Sequence, residues 1–178
     1  SAGLFAYLSG SPYVFMQLFG TSEQQYGYIF AIIAAGLITC SQLNNQLLKK
    51  YTSEQISLFT LSTQTIIGLL LVTGTAMHIL NLYSSIVLIA LFLSCQGFSF
   101  PNSSALSMAP FTKNAGSASA LMGAMQMGFG AVAAALVGLL NATSAIPMTG
   151  IMAGCTLLAL CILLMGTAKI KYPSKPED

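Results

Sequence analysis

Charge is what this sequence has least of: only 6% of its 178 residues are Asp, Glu, Lys or Arg. It has no tryptophan, one histidine (His78) and four cysteines (Cys40, Cys95, Cys155 and Cys161), none of them in a CxxC pair. Each shortage removes a class of chemistry. Cysteines in apolar stretches behave as small hydrophobes, and His78 stands near a helix end without a second ligand in sequence reach, so no metal is expected. No glycine-rich phosphate loop sits beside a strand, and no nucleophile is set next to a base. An integral-membrane enzyme would need carboxylates or histidines at the membrane surface, and they are missing. No catalytic residue, cofactor or nucleic-acid partner is expected.

What the chain does have is apolar length. Hydrophobic residues make up 55% of it, and the mean hydropathy is +0.78. Six stretches are each long enough to cross a bilayer: Ala2 to Phe19, Tyr26 to Leu48, Ile56 to Met77, Leu82 to Ser99, Ser117 to Leu140 and Pro147 to Ala168. In lipid every backbone polar group must be satisfied inside the segment, so the stretches read as helices. The fold class is an all-α membrane protein, with a six-helix bundle over residues 1–168 and a tail over 169–178. Glu23, Lys49, Lys50, Glu54, Lys113, Lys169, Lys171, Lys175, Glu177 and Asp178 all fall between or beyond the spans. Six spans do not describe a signal peptide. The chain opens at Ser1 with no initiator Met, nearly inside its first span, which reads as a start trimmed from something longer.

If the spans alternate, every lysine lies on one side of the membrane, which the positive-inside rule makes cytoplasmic together with the tail. Glu23, His78 and the turn from Asn141 to Ile146 face the other way. Ser22 with Gln25, and Thr52 with Gln55, have capping-box spacing before the second and third spans, and Pro147 suits the first turn of the sixth. Asn102-Ser103-Ser104 and Asn141-Ala142-Thr143 match the glycosylation pattern, the first of them on the cytoplasmic side. Gln42, Asn44 and Asn45, near the end of the second span, read as residues that cap or bridge helices.

Pro12 and Pro101 stand half the chain length apart, each predicted to break the first span of a three-helix unit. Units of three spans insert with opposite orientation, which is how inverted repeats arise, although two unrelated kinks would look the same. The fifth span is rich in glycine, alanine and serine. Ser119 with Gly123 has the small-xxx-small spacing, and Gly150 with Gly154 makes a GxxxG in the sixth span, so these four residues are predicted to serve helix packing.

Gly10-Ser11-Pro12-Tyr13-Val14, Phe100-Pro101-Asn102-Ser103-Ser104-Ala105-Leu106, Ala109-Pro110-Phe111 and the run from Ala115 to Gln126 strongly resemble the second half of Bcr/CflA-type drug exporters of the major facilitator superfamily. The resemblance covers essentially the whole chain. It implies a bacterial inner-membrane, proton-driven antiporter of twelve helices, of which these would be the seventh to twelfth. It also implies that the acidic residues coupling protons belong to a first half, because no span here carries a carboxylate. The chain would then need that second partner half, or a second copy of itself as a homodimer. By the resemblance the first, second, fourth and fifth spans face a central cavity, with the third and sixth peripheral. Tyr13 and Gln17, Gln96 and Phe100, and Met122, Gln126 and Phe129 share helix faces there and are the candidate substrate-binding residues. Amides among aromatic and methionine surfaces suit a small amphipathic or cationic substrate. The same residues could instead be interhelical packing, and a second reading of the chain is a non-transporting membrane scaffold.

Overall fold

The structure is a computed structural model describing residues 1–111, 113–140 and 144–169. Among these, all regular structure is helical: α1 (Ala2–Pro12) running into a π-helical stretch (Tyr13–Leu18), α2 (Glu23–Leu47), α3 (Ser53–Ala76), α4 (Leu82–Met108), α5 (Ala115–Leu140) and α6 (Ile146–Lys169). Helices α2 to α6 are each long and apolar enough to cross a membrane. The protein is therefore an all-α membrane protein. The tail from residue 170, with Lys171 and Lys175, and the motif at Asn141 to Thr143 lie outside the described residues.

Local chemistry sets the helix ends. Ser22 Oγ accepts from the Gln25 N–H at 3.2 Å, and Gln25 Oε1 accepts from the Ser22 N–H at 2.9 Å. Thr52 and Gln55 repeat this reciprocal pair at 3.3 and 3.2 Å. Asn81 and Ser84 form a third box, unanticipated because neither residue fits the usual Ser/Thr and Glu/Gln pattern. Helix α3 closes differently. His78 adopts φ 54°, the Ile79 N–H reaches back to Gly74 O and the His78 N–H to Thr75 O, which is a Schellman ending with histidine where glycine is usual.

Pro12 ends the α-helical part of the first span, though the chain stays helical, whereas the break expected at Pro101 is corrected. After Pro12 the helix widens into the π-helical stretch, where the Phe19 N–H donates five residues back to Val14 O. The wider turn keeps the backbone hydrogen-bonded beside a residue that has no N–H to give. Helix α4 runs through Pro101 to Met108, well past the predicted end at Ser99. One residue on, the Asn102 Nδ2 donates to Phe98 O at 2.8 Å, an extra bond on the turn that the proline weakens.

Helix α2 packs on α4, α4 on α3, α3 on α6, α6 on α1 and α1 on α5. Exchanging α1, α2 and α3 with α4, α5 and α6 maps this pattern onto itself, the relation expected of two three-helix repeats. Tyr7, Phe15, Ile33, Leu71, Phe92, Met148 and Met152 form the core between them. Phe59, Tyr83 and Leu139 are among the most exposed side chains, as suits a surface facing lipid rather than water.

Close helix approach is made by glycines other than those singled out from the sequence. A Cβ on Gly97 of α4 would meet Leu37 O, Ser41 N at 3.0 Å and Cys40 Cβ at 3.1 Å, all on α2. A Cβ on Gly130 of α5 would strike the Phe5 ring of α1. By contrast a Cβ on Gly123 or Gly154 would meet nothing within 4 Å, and one on Gly150 would make an ordinary contact with Val72 of α3 at 3.8 Å. Ser119 is exposed. Gly150 thus lies on the face of α6 that packs on α3, while no close approach is made at Ser119, Gly123 or Gly154: small residues allow close approach without fixing that another helix lies there.

Candidate functional site

The ends of α2 and α4, next to the connections that carry Lys49, Lys50 and Lys113, meet at one end of the bundle. Asn44 near the end of α2 bonds Asn102 near the end of α4, with Asn102 Nδ2 donating to Asn44 Oδ1 at 2.6 Å. The start of α1, the first half of α3, the second half of α4, most of the length of α5 and the middle of α6 converge around a cavity of about 780 Å³. Lys49, Lys50 and Lys113 are in the connections at this end. The volume falls within the range of small-molecule pockets.

The cavity is a wedge between α4 and α5, which touch little elsewhere. Gln96, Ser99, Phe100, Ser103, Ser104 and Ser107 come from α4, spaced so that one helix face carries them all. The opposite wall on α5 supplies Met122, Met125, Gln126 and Phe129. One wall is therefore rich in hydroxyls and the other in thioether and aromatic surface. Helices α3 and α6 close the floor with Leu61, Gln64, Ile151, Cys155 and Thr156.

Polar groups in the wedge divide into committed and available. Gln64 Nε2 donates to Phe92 O at 3.1 Å, Thr60 Oγ1 and Ser99 Oγ lie 2.8 Å apart, and Thr156 Oγ1 donates to Ala153 O at 3.0 Å. The first two bonds join α3 to α4, the third stays within α6, and all leave those groups little capacity for a ligand. Among the described residues, the Gln96 and Gln126 amides and the Ser103, Ser104 and Ser107 hydroxyls make no side-chain hydrogen bond. They can donate or accept toward a bound molecule. No group of three or more His, Cys, Asp or Glu that could hold a metal occurs among the described residues.

The structure brings Gln96, Phe100, Met122, Gln126 and Phe129 to one cavity. Tyr13 and Gln17 are not among its lining residues. They lie on the π-helical stretch at the other end of α1, Tyr13 half-buried and Gln17 exposed. There the seam between α1 and α2 is shut by aromatic contacts, with Phe15 and Tyr26 centroids 6.1 Å apart, Tyr7 stacked on Phe30 at 6.3 Å, and Ser11 Oγ 2.9 Å from Tyr26 Oη. The division into cavity-facing and peripheral helices also changes. Helices α3 and α6 form the wedge floor, and α2 contributes nothing to it. Sequence reasoning missed the serines of α4, although their spacing of three and four residues marks a polar face. The committed floor residues Gln64 and Thr156 carry no such signal.

Asn102, first residue of a glycosylation pattern, is 1% exposed and engaged by Asn44, so it offers no acceptor surface. The four cysteines are free thiols.

No protein-family model matches the chain. No solved structure matches it significantly. Two curated proteins do. An uncharacterised MFS-type transporter of Bacillus subtilis, YdgK, is 30% identical over 150 residues, which is 84% of this chain and 37% of that protein. A bicyclomycin resistance protein homolog of Haemophilus influenzae is 26% identical over 158 residues, 89% of this chain and 39% of that one. The chain thus spans about two-fifths of the length of these relatives. Both names agree with the resemblance carried by the motifs around Pro12, Pro101 and Gly116.

Proposed function

We propose that the chain, which is similar to an MFS-type transporter and a bicyclomycin resistance protein homolog, forms the second half of a small-molecule efflux transporter working by alternating access. The observation that carries this reading is the wedge, where Gln96 and Gln126 present free amides between a serine face and a methionine and aromatic face. Such a lining binds an amphipathic molecule by shape and polarisable contact, and the amides orient it. The outward faces of α2 and α5 are the least buried of the five long helices, and a first half, or a second copy, would cover them. No carboxylate lies within the described helices α2 to α6 except in the capping turns, at Glu23 and Glu54, so proton coupling would be supplied by that partner. The lysine-bearing end faces the cytoplasm.

Native cysteines allow a direct test. Cys155 lines the wedge, whereas Cys161 is exposed on the outer surface of α6, where lipid would cover it. In membranes from cells expressing the protein, a water-soluble maleimide should label Cys155 well ahead of Cys161. Compounds that the cells export should slow that labelling, and Gln126→Ala should change which compounds protect. Equal labelling of both thiols, or protection that ignores Gln126, would remove the wedge from the pathway.

A further inference from the structure

Helices α3 and α4 run antiparallel in a register fixed by two bonds, Thr60 Oγ1 to Ser99 Oγ and Gln64 Nε2 to Phe92 O. Stepping one turn back along α3 from Thr60 reaches Ser57. Stepping one turn forward along α4 from Ser99 reaches Asn102. The two therefore face each other across the α3 and α4 interface. Each is 1% exposed.

Ser57 Oγ and Asn102 Oδ1 are both buried without a hydrogen-bond partner in the protein. The amide nitrogen of Asn102 is already spent, on Asn44 Oδ1 at 2.6 Å and Phe98 O at 2.8 Å. That leaves an acceptor with nothing to accept from, opposite a hydroxyl that does not reach it directly. Buried polar atoms are costly in this condition, and paired ones facing each other across a gap are the usual setting of an internal water.

We infer that Ser57 and Asn102 bind one structural water between α3 and α4. The water donates to Asn102 Oδ1 and bonds Ser57 Oγ as donor or acceptor, which satisfies both orphans. With Asn44, it completes a polar layer tying α2, α3 and α4 together at the lysine end. Helix α4 is then the fixed wall of the wedge. The first half of α5, where a Cβ on Gly116, Gly123 or Gly128 would meet nothing within 4 Å, is the less tightly packed one. This inference stands whether or not the protein transports anything.

The test is an experimental structure of the protein in lipid at a resolution that shows ordered water. The expected result is a density peak about 2.7–3.0 Å from both Ser57 Oγ and Asn102 Oδ1. Ser57→Ala, too small a change to prevent folding, should abolish the peak and lower the melting temperature by about 2–4 °C, the shift for one lost buried interaction in a protein of this size. A direct bond between Ser57 and Asn102, a dry gap, a cation with further ligands in place of water, or a peak that survives in Ser57→Ala would each overturn the assignment.

Discussion

The same substitution made at Gly97 and at Gly123 should act in opposite directions. At Gly97 the added methyl is aimed at α2, with Ser41 N at 3.0 Å, Cys40 Cβ at 3.1 Å and the Leu37 carbonyl nearer still. Two of these three obstacles are backbone, which cannot swing aside, so α2 and α4 must separate. Overpacking of this kind costs about 1–3 kcal/mol. At Gly123 the same methyl enters open space. Both positions are inside helices, and the preference for alanine over glycine there, about 0.5–1 kcal/mol, is common to the two variants and cancels in their difference. Gly97→Ala should therefore lie below Gly123→Ala by about 1–3 kcal/mol, which at roughly 2–4 °C per kcal/mol is a melting gap of about 2–12 °C. The assay is thermal unfolding of both purified variants in one mild detergent beside the parent protein, followed by loss of helical signal. Melting temperatures within a degree of each other would refute the close approach of α2 and α4 at Gly97. A loss at Gly123 as large as that at Gly97 would show instead that another surface covers α5 in the purified protein.

Three further outcomes follow from the geometry. Asn44→Ala leaves Asn102 with one acceptor and should lower stability by about 0.6–1.7 kcal/mol, the range for side-chain hydrogen bonds inside membrane proteins, read in the same thermal assay. His78→Gly relieves a left-handed backbone that histidine tolerates poorly and should raise stability by about 1 kcal/mol, with no change in topology. Lys113→Cys should react with an impermeant thiol reagent only after the membrane is opened, and labelling from outside intact cells would reverse the orientation assigned to the lysine end.

The number of helices, their rough bounds and the placing of charge between them were legible because lipid penalises exposed charge and unpaired backbone so heavily that composition alone records the boundaries. The capping boxes at Ser22 and Thr52 were legible because they are local, complete within four residues. Part of the wedge was legible too, since amides and aromatics at helical spacing share a face whatever the tertiary fold. What escaped depends on partners distant in sequence. Gly97 has proline rather than a small residue four places on, so no motif marks it, yet it meets the α2 backbone most closely. Gly150 and Gly154 carry the motif and meet almost nothing. Asn102 shows the same dependence: read locally it begins a glycosylation pattern, and only its bond to Asn44, on another helix, makes it a clamp.

That contrast bears on how α5 should be understood. Its second half is anchored where Gly130 lies against Phe5 and where Ala133 and Val137 are buried, while in its first half Met122, Gly123 and Gln126 are only half-buried and a Cβ on Gly116, Gly123 or Gly128 would meet nothing. A helix buried mainly in one half can change the width of the wedge with little repacking of the core, because its buried residues lie in that half. The small residues of the first half then have a use that fits their exposure. Glycine and serine leave no protruding side chain to collide with α4 or with a neighbouring surface as the wall moves, and so the segment that fails as a packing motif within the bundle suits a wall that must approach and withdraw.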